Sequence, residues 1–207
     1  MTDAAQDRRT GDADGDAVHQ RRTGDADRGT VHDRLTGDAV RVRGIGAGDW
    51  DAVVALERAA YAPLGLSEGR AALQSRAAAS PETCFVLDAG GRTAGYVLAL
   101  PYPPLACPDL GRAEEAAADP AGNLHLHDLV IAPDLRRRGL AQHLLRRLAG
   151  TARDRGDERI SLVAVGGSDR WWSARGFTPH PEVVPAGPYG ADAVYMSRPV
   201  PAPREVS

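Results

Sequence analysis

"DLVIAPDLRRRGLAQHLL", residues 128–145, passes from a near-continuous apolar run into an amphipathic helix, with three arginines and a glycine at the junction. The start of a helix is already positive, so arginines there cost a few tenths of a kcal/mol, up to about 1, unless an anion sits among them. The first-turn amides have no partner inside the helix and can hold phosphate oxygens. Gly139 and Ala141 remove side chains that would keep a pyrophosphate from that backbone. Upstream, "LHLHDLVIA" alternates and then turns fully apolar, as a strand entering the middle of a sheet does. Downstream, Leu140, Leu144 and Leu148 share one helical face, with Ala141 and Leu145 beside them. The stretch therefore reads as strand, anion-binding turn, helix.

Working outward, a chain of 207 residues with 43% hydrophobic content can fill the core of one sizeable domain. No apolar run approaches the roughly 20 residues of a membrane span, and Asp and Arg occupy the N-terminus where a secretory signal needs an apolar stretch. A cytoplasmic location is expected. Cys84 and Cys107 lack metal-ligand spacing and read as inert thiols, and no metal is expected. All 25 basic residues are arginine, which with the Ala, Gly and Pro excess reads as coding bias, so the arginine count alone carries no argument.

Residues 8–14 read RRTGDAD, 21–27 repeat it, and 34–40 read RLTGDAV. This period of 13 cannot stack into a solenoid, because it holds almost no apolar residues to bury; residues 1–39 are expected to be a disordered tail. We read it as a duplicated extension without a role of its own, or as the result of a start codon placed too early. The tail carries nine acids and six arginines and so accounts for the whole net charge of −3. The remaining domain, 40–207, is balanced, which disfavours nucleic acid as a partner.

Within that domain, 40–43 reads as a first strand, and "GDWDAVVALERAAYA" as a helix behind an Asp49 N-cap, running to about Ala60. A second helix starts after Ser67 and ends before Pro81. "CFVLDAGGRTAGYVLALPYPP" is two strands around a Gly-Gly turn. Residues 105–123 read as a long loop, "RISLVAV" as a strand, "SDRWWSA" as a short helix ended by Gly176, and "DAVYMSR" as a last strand. Helices and strands alternate in an α/β order around a central mixed sheet.

The spacing Arg136-x-x-Gly139-x-Ala141, preceded by "IAPDL" and followed by "WWSARGF", resembles the signature of the GNAT family of acyl-CoA N-acyltransferases over roughly residues 40–198. That resemblance implies a mixed sheet with splayed middle strands at 124–132 and 159–165, flanked by helices, and acetyl-CoA as acyl donor. It implies that Arg136, Arg137, Arg138, Gly139, Leu140 and Ala141 cradle the coenzyme A pyrophosphate, and that the backbone of Leu129 and Ile131 meets the pantetheine arm. An amide near Ile131 would polarise the thioester carbonyl.

An alkylamine arrives mostly as ammonium, so a base must take a proton before attack. His125 and His127 stand two apart on the strand, sharing one face, and imidazole suits the task near neutral pH. "LHLHDLVIAPDLRRRG" also resembles the matching strand of arylalkylamine N-acetyltransferases, where an H-x-H pair relays the amine proton. Two hydrogen-bonded core histidines, with Asp128 facing the opposite side, form the competing reading; Asp128 as the anchor for the acceptor ammonium is another. The family's tyrosine, five residues before the Phe of Gly-Phe, is here Trp172, whose indole cannot act as the acid for the leaving thiolate. Tyr189 and Tyr195 are substitutes without support from spacing, and a thiol of ordinary pKa near 8.5 leaves tolerably unassisted. Tyr61, Tyr102 and prolines 101, 103 and 104 would wall the acceptor side, which favours a small amine over a polybasic peptide. The expected protein is thus an acetyl-CoA-dependent N-acetyltransferase of a small primary amine, a monomer or homodimer without membrane or nucleic-acid partners. A non-catalytic acyl-CoA-binding module is the alternative.

Overall fold

The structure is a computed structural model that describes residues 40–110, 112–113, 122–183 and 189–200. The 13-residue repeat and most of the Ala/Glu-rich part of the 105–123 loop lie outside the described residues. Seven strands form one sheet: β1 (Arg41–Gly44), β2 (Phe85–Ala89), β3 (Arg92–Pro101), β4 (Asn123–Ile131), β5 (Arg159–Ala164), β6 (Thr178–Pro179) and β7 (Val194–Pro199). Their order is β1-β2-β3-β4-β5-β7-β6. Only β4 and β5 run parallel; the other neighbours are antiparallel. Among the described residues, four α-helices complete the fold: α1 (Trp50–Tyr61), α2 (Arg70–Ala79), α3 (Ala141–Arg155) and α4 (Asp169–Ser173).

Each strand's period of two splits its side chains between two cores. On one face, α3 buries Leu144, Leu145, Leu148 and Ala152 against Leu87, Val97, Leu126 and Ile160. On the other, α1 and α2 bury Val53, Leu73 and Ala77 against Val86, Tyr96, Leu98 and Val130. The β2–β3 hairpin turns at Gly90 and Gly91, both with positive φ (61° and 73°), the tight turn a Gly-Gly pair permits.

The elements fall close to the sequence reading, with instructive differences. Asp49 precedes α1, but its carboxylate does not cap the helix. It accepts from the Gly46 amide (2.7 Å) and from the Arg43 guanidinium (2.6 and 2.8 Å), which also grips Asp88 of β2. The Arg43 hydrogen bonds hold the Asp49 carboxyl down at a pKa of about 2. The helix after Ser67 starts only at Arg70, because a 3-10 turn over Ala62–Leu64 and a left-handed Gly65 (φ 71°) occupy the approach. The two-residue β6 was not expected.

Two features of β4 position the site. Pairing with β3 runs Leu98 to Asp128 and then Ala99 to Leu126, skipping His127, which is therefore an extra residue in the ladder. The bulge reverses the alternation: Leu124 and Leu126 before it, and Leu129 and Ile131 after it, all belong to the α3 face, whereas Val130 lies in the core under α1 and α2. Asp128 is turned with Val130 and bonds Tyr96, so it lies on the same side as the histidines, not opposite them. Second, β4 and β5 pair with each other only over Asn123–Leu126 and Arg159–Leu162, after which each keeps only its other neighbour, β3 or β7.

Candidate active site

Where β4 and β5 part, a cleft of about 700 Å³ opens. Its floor includes Leu126, Leu129, Ile131 and Leu162, and one end is the turn into α3, with Arg136, Arg137, Gly139, Leu140 and Ala141. The Ala132 amide donates to the Ala94 carbonyl of β3 (2.8 Å). By strand alternation, Leu129 and Ile131 then turn their backbone groups the other way, to the open edge. The Ile131 carbonyl accepts from Arg136 Nε (3.2 Å), and the Leu129 amide meets the Tyr61 hydroxyl.

The turn before α3 is concave and lined by backbone amides. Arg137 and Gly139 both have positive φ (65° and 77°) on either side of Arg138, so successive amides converge into a concave nest. Among the described residues, the amides of 137–141 have no acceptor. A Cβ on Gly139 would meet nothing within 4 Å, so it is the positive φ, not a lack of room, that calls for glycine. Of the six residues expected here, Arg138 alone is absent from the cleft lining.

Trp171 and Trp172 both line the cleft. Trp172 is buried, edge-on to Phe177 (5.2 Å between centroids), and Trp171 is covered by the Arg175 guanidinium 3.4 Å from its ring centre. Arg175, which also lines the cleft, was not singled out from the sequence.

Beside the cleft, past Tyr61 and His127, lies a nook of about 30 Å³, room for roughly one water. Glu57, Glu68, Asp128, His127, Tyr189, Val163 and Val165 are among its lining residues. Burial raises the Glu57 and Asp128 carboxyls above their ordinary range. Asp128 accepts from the Tyr96 hydroxyl (3.0 Å) and is bonded by Tyr61. Glu57 accepts from Ser67 Oγ (2.7 Å) and from the Glu68 amide (2.6 Å), which ties the segment before α2 down onto α1.

The two histidines have different surroundings. His125 is 1% exposed, bonds Ser161 Oγ through Nδ1 (3.0 Å), and lies between Tyr102 and Tyr195. Burial lowers its pKa to about 3, with the neighbouring charges of His127 and Arg76 adding to the effect. It lines neither cavity. His127 lines both, with Nε2 2.7 Å from Glu68 Oε2 and 2.8 Å from Arg76 Nε. Tyr102 lies against His125 behind the cleft wall and not in it. The Tyr189 hydroxyl donates to the Pro108 carbonyl (2.7 Å), and the Tyr195 hydroxyl accepts from the Leu105 amide (3.0 Å); neither lines the cleft.

Glu68 and Arg76 were missed by sequence reasoning. Arg76 carried a signal: with Leu73 and Ala77 it falls on the buried i, i+3, i+4 stripe of α2, where a charge needs a partner. Nothing local marks Glu68.

Among the described residues no helix is long and apolar enough to cross a membrane. A search of curated proteins finds no match. Solved structures do match. The loading GNATL domain of CurA from Lyngbya majuscula is 16% identical with a TM-score of 0.67, over 78% of this chain and 98% of that one. The ribosomal-protein-S18-alanine N-acetyltransferase from Escherichia coli is 18% identical with a TM-score of 0.56, over 82% and 99%. The GphF GNAT-like decarboxylase, solved with isobutyryl-CoA, is 24% identical with a TM-score of 0.60, over 78% and 100%. At these identities the likeness is one of fold. The profile of the Acetyltransferase (GNAT) family matches residues 50–177, from the start of α1 through the Gly-Phe after α4, so the chain belongs to the GNAT family and is an acyltransferase.

Proposed function

We propose that the protein transfers the acetyl group of acetyl-CoA directly to a primary amine of a small molecule, with His127 as the group that takes the amine proton. The reading rests on one juxtaposition: His127 lines both the cleft that ends in the α3 nest and the acidic nook beside it. In this scheme the nest amides, with Arg136 and Arg137, hold the pyrophosphate, and the open edge of β4 takes the pantetheine arm. The backbone amide of Ile131 then stabilises negative charge growing on the thioester oxygen. That the GphF GNAT-like decarboxylase was solved with isobutyryl-CoA supports the donor class.

Glu57 and Asp128 give the acceptor side a wall of carboxyl oxygens beside the Tyr61 ring, acceptors that suit the N–H groups of an alkylamine. A polybasic peptide would need an acidic groove, and the nook holds about one water. The amine proton passes to His127, through that single water where the ring is not reached directly. The amine nitrogen attacks the carbonyl carbon, the carbon–sulfur bond breaks, coenzyme A leaves as thiolate, and the second proton shed by the nitrogen neutralises that thiolate, giving the acetamide and the free thiol. Trp172 supplies no proton; it packs the cleft wall. His125, at a pKa of about 3, stays neutral throughout the working range, which fits a structural hydrogen bond better than a proton carrier.

Thiol release measured over a panel of alkylamines and arylalkylamines tests the reading. His127→Gln should lower kcat near pH 7 by on the order of 10² to 10⁴ with the KM for acetyl-CoA nearly unchanged. His125→Gln should keep the wild-type pH profile. An active His127→Gln variant, or no turnover with any amine, would contradict it.

A further inference from the structure

Resting on the reading of His127 as base, we propose that Glu68 and Arg76 are positioning residues of the transfer: together they fix the tautomer of His127 so that Nδ1, not Nε2, accepts the amine proton.

The geometry sets the argument. Arg76, on α2, is 0% exposed, and the Glu68 and His127 side chains are only 6% and 3% exposed. Arg76 Nη2 donates to Glu68 Oε1 (2.6 Å) and more weakly to the Asp109 carbonyl (3.3 Å), and Nη1 donates to the Arg112 carbonyl (3.3 Å). His127 Nε2 accepts from Arg76 Nε at 2.8 Å and also lies 2.7 Å from Glu68 Oε2. A guanidinium only donates and a carboxylate only accepts, so Nε2 can satisfy one of them at a time.

With a lone pair on Nε2, it accepts from Arg76, but Glu68 Oε2 then confronts that lone pair and the ring proton blocks Nδ1. With a proton on Nε2, the donor goes to Glu68 Oε2, and Arg76 Nε turns to the same carboxylate, completing the two-pronged pair that Nη2 begins. This second arrangement gives the Nε2 proton and Arg76 Nε an acceptor each and leaves Nδ1 a lone pair. Among the described residues Nδ1 has no partner. Arg76 sets a positive charge against Glu68 away from water, and Glu57 holds the Glu68 amide, which aims the side chain.

The charged and titratable groups around the ring are Glu68 and Arg76 from the α2 side, Glu57 and Tyr61 from α1, Asp128 and His125 on β4 itself, and Tyr189 across the nook. Of these, only Glu68 and Arg76 touch the imidazole. Replacing the Glu68 carboxylate by an amide inverts the pairing, because an amide N–H would donate to Nε2 and drive the ring proton to Nδ1.

The test is Glu68→Gln against Glu68→Asp in the full chain, read by kcat against pH and by the 15N spectrum of the imidazoles. The wild type should show His127 protonated at Nε2. Glu68→Gln should move the proton to Nδ1 and lower kcat near pH 7 by on the order of 10² or more, recovering toward high pH where the free amine needs no base, with the KM for acetyl-CoA unchanged. Glu68→Asp should keep the tautomer and most of the turnover. Because the single change takes the carboxylate of Glu68 away from the Arg76 charge inside the protein, Glu68→Gln/Arg76→Met is made alongside; it should fold at least as well yet remain slow.

A Glu68→Gln variant with the wild-type tautomer and pH profile would overturn the proposal. So would Glu68 variants that lose activity only in step with their folded fraction. If His127→Gln is inactive while Glu68→Gln behaves as wild type, this inference alone fails; if His127→Gln is fully active, the base reading fails with it.

Discussion

His125 and His127 look equivalent on paper, two imidazoles one residue apart, yet the fold gives them opposite environments. The bulge at His127 turns its ring toward α2 and the nook, whereas His125 is enclosed against Ser161 and Tyr195. The enclosure has a consequence for stability. His125 binds no proton in the folded state until pH is near 3, but it does so in the unfolded chain near 6.5. The unfolded state therefore holds more protons between those values, and stability falls as pH drops through that window and is fully present above it. Urea unfolding of the wild type should show this decline from about pH 6.5 downward, and His125→Gln should flatten it. An equal slope in both proteins would remove His125 as its cause.

At the scale of elements, the turn from β4 into α3 was legible because its signals are local: helical leucine spacing, a glycine at a fixed place, and arginines where a helix start repels them. The partnership of Glu68, Arg76 and His127 was not, because it joins residues 51 and 59 apart in the chain: the stripe of α2 says that Arg76 needs a partner, but not which one. Nor was the orientation of Asp128, since period-two alternation holds only in an uninterrupted strand and nothing in "LHLHDL" announces a bulge. The Trp172 substitution was legible as a departure, and the structure adds that the ring fills the wall between Trp171 and Phe177.

For the α3 turn the prediction is specific. Gly139→Ala places a side chain at φ 77°, which costs about 1 to 2 kcal/mol. Since the surrounding space is open, the backbone relaxes toward negative φ and the nest loses its shape. The KM for acetyl-CoA should rise by roughly tenfold, with kcat at saturation little changed; an unchanged KM with a large loss of kcat would place Gly139 elsewhere in the reaction.

Across the whole molecule, the sheet divides the labour. The α3 face carries the larger core and holds the nest; the α1/α2 face brings together carboxylates, tyrosines and the Arg76 ion pair. Between them β4 and β5 separate after four paired residues each, so one cleft faces both sets of groups. Everything proposed for the acceptor depends on acetyl-CoA entering that opening with its pyrophosphate at the helix start. Calorimetric titration of acetyl-CoA into the full-length wild type and into Gly139→Ala measures this directly. One saturable site, weakened by the substitution in a protein of unchanged fold, is the result expected; no heat of binding to the wild type, or equal affinity in both proteins, would contradict it.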